Sequence, residues 1–255
     1  MRAENLFSLK TLIEGPRMPS SNSRYRNPSV RPAWYKARQK GITPAQKRAE
    51  RALWPLFGLA FSHTDRLELS AAFNREAPRV LEIGCGNGEA VVELAAARPD
   101  VDFLAVDWMR RGLATCMMKL DERGLRNVRV CKADGAMLLT RGLPTDTPLF
   151  DEVLFFFPDP WRGSAERRLV RPDVIESLGR VMRPHGCLHV ATDVPGYPEH
   201  VRATLAAARG WRALPCESLT ANRPGHFRPS TKYEREAIAE GRAVEDLCFV
   251  FEAAP

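Results

Sequence analysis

Apolar positions fall into a regular order from Arg79 onward. Arg79–Ile83 is a short run of β-branched residues and leucine, followed by Gly84-Cys85-Gly86-Asn87-Gly88, and Glu89 to Ala97 then reads as a helix. Asp102 to Val106 is a second strand ending on Asp107, and Leu113, Cys116, Met117 and Leu120 fall on one face of a helix that stops near Gly124. Asn127 to Cys131 is a third strand, running into Lys132-Ala133-Asp134-Gly135, and Asp151 to Phe157 is a fourth. Val174, Ile175, Leu178, Val181 and Met182 make another helical face, closed by Pro184 and Gly186. Cys187 to Ala191 is a fifth strand with Thr192-Asp193 at its end, Tyr197, Val201 and Leu205 mark the next helix, and Leu247 to Phe251 is a late strand. Strand and helix alternate throughout, which predicts an α/β fold with a mostly parallel sheet and helices on both faces.

Upstream the pattern is different. Residues 1–43, with Pro16, Pro19, Ser20, Ser21, Pro28 and Pro32, show no sustained periodicity and are expected to be mostly disordered. Thr43 is placed to cap a helix with Pro44 at its first position and Ala49, Ala52, Leu53 and Leu56 on one face. Ser62 to Arg75 reads as a polar connection. The expected organisation is a basic leader, 1–43, and one domain, 44–255, that includes an N-terminal helical extension.

Charge sharpens that division. Residues 1–52 carry 12 Lys+Arg against 3 Glu, net +9, while the remainder carries 26 against 28, net −2. A basic leader before a near-neutral domain points to a polyanion partner; a solvated tail is the ordinary alternative. No run of about 18 apolar residues exists, so no membrane span is expected, and Met1 to Lys10 lacks the apolar core of a secretory signal, so the protein reads as cytoplasmic. The six cysteines (Cys85, Cys116, Cys131, Cys187, Cys216, Cys248) are scattered and read as reduced core residues, neither ligands nor bridges. His63, His185, His189, His200 and His226 form no spaced set with cysteines or acids, so no metal is expected.

Candidate chemistry sits at the strand ends. In Phe155-Phe156-Phe157-Pro158-Asp159-Pro160-Trp161, two prolines stop the ladder and leave Asp159 little entropy to lose when a ligand arrives. An acid in a Pro-rich turn ordinarily satisfies backbone amides. However, Glu82, Asp107, Asp134, Asp159 and Asp193 follow five consecutive strands, which favours one shared cleft at the carboxyl ends of a parallel sheet. Gly84-x-Gly86-x-Gly88 lets the chain turn sharply and bring amides close to a ligand, and is similar both to a dinucleotide loop and to the nucleotide loop of S-adenosylmethionine-dependent methyltransferases. A hydride-transfer fingerprint needs G-x-G-x-x-G, and here the third glycine comes one residue early. Glu82 opposes a pyrophosphate but favours a cationic sulfonium and amino group. Asp107 is placed to accept ribose hydroxyls and Asp134 the adenine amino group.

Together these residues resemble the tRNA (guanine-N7)-methyltransferases. The resemblance runs from Lys40-Gly41-x-Thr43 and Trp54-Pro55 through Leu81-Glu82-Ile83-Gly84, Asn127-x-Arg129-Val130, Phe156-Phe157-Pro158-Asp159-Pro160-Trp161, Arg167-Arg168-x-Val170 and Ala191-Thr192-Asp193 to Arg228-Pro229-x-Thr231-Lys232-Tyr233-Glu234-Arg235. It implies a Rossmann-like class I S-adenosylmethionine-dependent methyltransferase fold with a mostly parallel seven-stranded sheet, acting as a monomer or homodimer. It also implies that Glu82, Gly84, Gly86, Gly88, Asp107 and Asp134 meet the cofactor, that Asp159 is catalytic, and that Asp193, Thr231, Lys232, Tyr233 and Glu234 meet a tRNA guanosine. Trp161 or Tyr233 could stack on an extruded base. The chain departs from the family at Arg162-Gly163-Ser164-Ala165-Glu166, which replaces a longer basic loop, at Asp107-Trp108-Met109-Arg110, and at Glu236-Ala237 and Gly241-Arg242. Cofactor residues match better than substrate residues. Two alternatives follow: a small-molecule N-methyltransferase acting on a purine-like heterocycle, and an RNA-binding scaffold with weak turnover.

Overall fold

Strand register explains the long apolar runs. Along the strand Asp102–Asp107, Phe103 and Ala105 join one buried cluster while Leu104 and Val106 join another, so the sheet is covered on both faces. A computed structural model describes residues 41–61, 66–144, 147–161, 163–216 and 228–252; residues 1–40 of the basic leader lie outside the described residues.

Eight strands, β1 (Gly58–Leu59), β2 (Arg79–Ile83), β3 (Asp102–Asp107), β4 (Val128–Lys132), β5 (Phe150–Phe156), β6 (Met182–Thr192), β7 (Trp211–Leu214) and β8 (Glu245–Phe251), form one sheet in the order β1-β4-β3-β2-β5-β6-β8-β7. The pairs from β1 to β6 are parallel, and β8 is antiparallel to β6 and β7. The mostly parallel Rossmann-like sheet is as expected, with a two-residue strand added at one edge. The helices are α1 (Pro44–Phe57), α2 (Leu69–Phe73), α3 (Glu89–Ala97), α4 (Arg110–Glu122), α5 (Gly135–Met137), α6 (Pro172–Gly179), α7 (Tyr197–Ala207) and α8 (Lys232–Ala239).

Several expectations need correction. The helical face through Val181 and Met182 stops at Gly179, and Met182 opens β6. Pro184 and Gly186 lie inside that strand, where the pairing jumps from Phe150–Met182 to Glu152–Cys187 and the intervening Pro184 and His185 loop out exposed. A proline has no amide to give to a ladder, so the bulge is where it fits. The polar connection before Arg75 contains α2, whose Leu69 and Phe73 are buried.

The cysteine reading also changes. Cys85, Cys116, Cys131 and Cys187 are buried and outside any disulfide, but Cys216 and Cys248 are joined in one with Cα atoms 5.2 Å apart. The cause is topology: Leu214 of β7 stands opposite Cys248 of β8, so a residue just past β7 arrives beside it. A sequence separation of 32 conceals this neighbourhood.

Two ion pairs anchor helices to the frame. Glu50 of α1, buried, accepts from Arg110 of α4 (Nε–Oε2 2.6 Å), and Gln46, which completes a capping box with Thr43, donates to Thr115 at 3.0 Å. Arg98, just after α3, makes a bidentate pair with Glu152 of β5, both bonds 2.9 Å, with side chains only 7% and 9% exposed. Removing one partner of such a pair strands the other charge in a place water does not reach. Glu152→Ala is therefore expected to lower the unfolding free energy by about 3–5 kcal/mol in urea denaturation; a loss below about 1 kcal/mol would mean the pair behaves as a solvated one.

Candidate active site

The strand order reverses between β2 and β5, and crossovers on either side leave a crevice at the carboxyl ends of these strands. A cavity of about 1780 Å³ opens there. Its lining includes Glu82, Gly84, Gly86, Asp107, Asp134, Asp159, Trp161, Thr231, Lys232 and Tyr233. The structure thus brings together ten of the residues singled out from the sequence. Gly88, Asp193 and Glu234 are not among the lining residues.

The glycine loop hangs from the end of β3. Gly84 and Cys85 donate their amides to Val106 O (2.8 and 3.1 Å), and Gly86 donates to Asp107 Oδ2 at 2.8 Å. Gly84 and Gly86 have φ of +84° and +56°, and a Cβ on either would meet nothing within 4 Å, so the backbone conformation, not crowding, calls for glycine. Gly88 heads α3 from beneath, where a Cβ would come 2.4 Å from Cys116 Sγ.

Glu82 is the least comfortable of the acids. It is 3% exposed in the all-buried strand β2, and its Oε2 has no hydrogen-bond partner among the described residues. Burial, with the nearby charge of Asp107 second, pushes its pKa from the ordinary 4.5 to about 8. Asp107 is also raised, by burial first, although the amides of Met109 (2.5 Å) and Gly86 pull the other way. Asp134 caps α5 by accepting from Met137 N at 3.0 Å.

The Phe157–Trp161 segment is conformationally costly. Phe157 and Trp161 bracket Pro158-Asp159-Pro160 with φ of 52° and 39°, left-handed values that a bulky side chain avoids. Asp159 between them is exposed, and its charge is felt at Asp107. Neighbouring rings and cations hold the segment. Phe157 stacks on Tyr233 (centroids 6.1 Å, 27°), the Arg228 guanidinium lies 5.8 Å over Phe157, and that of Arg167 lies 5.7 Å from the Trp161 ring. Of the two aromatic candidates, Tyr233 is 58% exposed and Trp161 is half-buried under Arg167.

Helix α8 carries the late motif to the cavity. Thr231 caps it by accepting from Glu234 N at 3.4 Å. Glu234 pairs with Arg228, which also grips Asp246 (2.6 and 3.1 Å), and Asp193 pairs with Arg242. Sequence reasoning missed Glu89. This first residue of α3 accepts from Lys232 N (2.5 Å) and Arg235 (3.1 Å) while receiving Asn87 Nδ2 at 3.3 Å, so it ties the glycine loop to α8. Burial pulls its carboxyl up, but those hydrogen bonds and the Arg235 charge leave it below the ordinary value. An acid in a first helical turn was visible, but a partner 143 residues away was not.

Comparison with known proteins bears on the fold and the family. A family model described as a putative methyltransferase matches residues 76–247. The solved 16S rRNA methyltransferase KamB superposes with a TM-score of 0.51 at 20% identity, covering 75% of this chain and 94% of that one, and the antibiotic-resistance methyltransferase Kmr with 0.51 at 22%, covering 77% and 96%. The fold is that of a Rossmann-like class I methyltransferase. The tRNA (guanine-N(7)-)-methyltransferase of Nitrosococcus oceani is 40% identical over 214 residues, 83% of this chain and 87% of that protein. The one from Pseudomonas aeruginosa is 37% identical over 244 residues, 93% and 98%. The chain belongs to the tRNA (guanine-N7)-methyltransferase family.

Two consequences of the geometry can be measured. Glu82 has a folded pKa above its unfolded one, so the folded protein keeps a proton that the unfolded chain has lost, and stability falls as pH rises from 4.5 through about 8. Asp107 adds in the same direction. Glu82→Gln is expected to flatten this part of the stability profile in cofactor-free protein; an unchanged slope would clear Glu82 of causing it. For Glu89→Ala, losing a hydrogen bond to a charged group, roughly 1.5 kcal/mol, corresponds to about a tenfold faster amide exchange over residues 232–235 by mass spectrometry. Unchanged exchange there would show that α8 stands without Glu89.

Proposed function

We propose that this protein transfers the methyl group of S-adenosylmethionine to N7 of a guanosine in tRNA. The observation that carries the reading is one shared cavity: the unpartnered buried oxygen of Glu82, the carboxylate of Asp159 and the exposed ring of Tyr233 belong to the same space.

The residues present fit S-adenosylmethionine. A buried carboxylate oxygen without a partner calls for a cationic or N–H group, and the open glycine loop lets a ligand approach the backbone. In this reading Glu82 holds the amino acid end, Gly84, Gly86 and Gly88 shape the loop, Asp107 accepts ribose hydroxyls, and the Asp134 oxygen not used in capping accepts the adenine amino group. When bound, the cofactor supplies a methyl group on a positively charged sulfur. Guanine N7 already presents a lone pair, so the protein's contribution is alignment more than base catalysis. Asp159, held between two prolines, accepts from the guanine N1–H and amino group and offsets the positive charge that methylation places on the ring. Asp193 does so only while shared with Arg242. Lys232 and Tyr233 are exposed and supply phosphate contact and stacking, while Thr231 and Glu234 shape the helix that presents them.

Charge favours tRNA over a free heterocycle. Arg111, Arg141, Arg167 and Lys232 line the cavity with exposed side chains, alongside the exposed acids Glu166, Asp173 and Glu176, whereas Glu82, Asp107 and Asp134 are buried or half-buried. Cations at the surface suit a polyanion, and acids inside suit a cation.

The test is incubation with labelled cofactor and unmodified tRNA, followed by nucleoside analysis. The expected product is 7-methylguanosine, with tRNA binding that weakens steeply as salt rises. Salt-indifferent methylation of a free purine would favour the small-molecule alternative, and binding without transfer the scaffold. Asp159→Ala is expected to cut transfer by about 100-fold or more while tRNA affinity stays within about twofold. Retention of most activity would remove Asp159 from the mechanism.

A further inference from the structure

Outside the cavity, the described residues contain one group of metal-ligating side chains: His189, Cys216 and Cys248, whose donor atoms all lie within 4.8 Å of one another. Strand register assembles it. Cys248 of β8 stands opposite His189 of β6 on one side and Leu214 of β7 on the other, and Cys216 follows β7 by two residues. Spacings of 27 and 32 residues along the chain match no metal-binding pattern, which is why the sequence reading found none.

We propose that this cluster is a thiol-gated metal site. In the oxidised protein it is closed as the Cys216–Cys248 disulfide. Once reduced, it takes one thiophilic divalent cation of the zinc class on the two sulfurs and an imidazole nitrogen of His189.

The donor set selects the metal. Two thiolates and an imidazole suit zinc and its soft neighbours and disfavour magnesium or calcium, which take oxygen ligands. Three protein ligands leave the fourth tetrahedral position to water. A second layer of contacts supports the assignment. His189 Nε2 lies 2.7 Å from Asp246 Oδ1, and Asp246 is gripped by Arg228 at 2.6 and 3.1 Å. A carboxylate on one ring nitrogen is the usual partner of a metal-binding histidine: it aims the ring and, by accepting a hydrogen bond from Nε2–H, keeps the proton there and leaves the lone pair on Nδ1. Phe156 packs edge-on against the ring at 5.1 Å and further restricts it. A disulfide makes no use of such a histidine; a metal does.

The chemistry balances with a thiol reductant. The Cys216 Sγ–Cys248 Sγ bond breaks, taking two electrons and two protons from two reductant thiols, which leave as their own disulfide. Metal binding then displaces both cysteine protons to solvent, and the two thiolate charges neutralise the dication. Cys216 is half-buried while Cys248 is buried, so Cys216 is the sulfur open to attack.

The experiment uses the full chain, reduced and desalted without oxygen, and titrated with Co²⁺ as a spectroscopic substitute for Zn²⁺. The expected result is one equivalent bound, with a thiolate-to-cobalt charge-transfer band and tetrahedral visible bands that Zn²⁺ abolishes. The oxidised protein and the Cys216→Ser, Cys248→Ser and His189→Ala variants should lose this signal, and Asp246→Asn should bind roughly 10–100-fold more weakly. A wild-type measurement guards against variants that fail to fold: Zn²⁺ should protect Cys216 and Cys248 of the reduced protein from alkylation, read by peptide mass spectrometry. The proposal is overturned if the reduced wild type gives no thiolate band, if the band survives in folded Cys216→Ser, or if Zn²⁺ leaves both cysteines as reactive as before.

Discussion

The site is organised around a carboxyl group in a place that suits it badly. Glu82 sits on the central strand β2, paired in register with Ala105 on one side and Leu154 on the other, so its neighbours across the sheet are apolar. One of its oxygens has no partner among the described residues. A buried acid in this state holds its proton near neutrality unless something positive arrives, and this is why burial dominates its shift, ahead of Asp107. The fold tolerates the defect because it lies at the end of a strand, where the reversal of strand order opens the sheet. A ligand that carries positive charge therefore gains more here than at an acid already satisfied by the protein.

Everything above that carboxyl is arranged as a set of mutual braces. Phe157 and Trp161 hold left-handed backbone conformations that each cost on the order of 1–3 kcal/mol. Such conformations persist only where surroundings over-determine them, and here the Tyr233 ring, Arg228 and Arg167 do so. Tyr233 in turn is positioned by α8, whose start rests on Glu89 at the root of the glycine loop. The loop is fastened to Asp107 and the end of β3. The glycine loop and the start of α8 thus share a single carboxylate, that of Glu89.

How much of this was legible depended on range. Strand-end acids could be read because each is local: an apolar run, a turn, one carboxylate, repeated five times. The strands themselves could be read because burial on both faces makes them continuously apolar, as in Val153–Phe156. What could not be read lies in pairings across the sheet. Glu234 and Asp193 look like free acids in the sequence, yet Arg228 and Arg242 occupy them. The short strand β7 is half-exposed at an edge and carries no strong alternation, and missing it hid both the disulfide and the cluster beside it. Pro184 and Gly186 signalled a break correctly, but the break was a bulge within β6 and not the end of a helix.

The remaining step concerns charge at two depths. A methyl donor that is a cation and an acceptor that is part of a polyanion must approach the same point from different sides, and a uniformly acidic or uniformly basic cleft would repel one of them. Here Glu82 and Asp107 lie deep, where a low dielectric strengthens their attraction, while Arg111, Arg141 and Lys232 stand at the surface, where solvent screens them. Depth thus weights the two attractions differently: the inner one is short-ranged and strong, and the outer one is long-ranged and sensitive to salt. Asp159 lines the same cavity, exposed yet felt by Asp107, and in the proposed reaction a carboxylate there would answer the charge that passes from donor to acceptor.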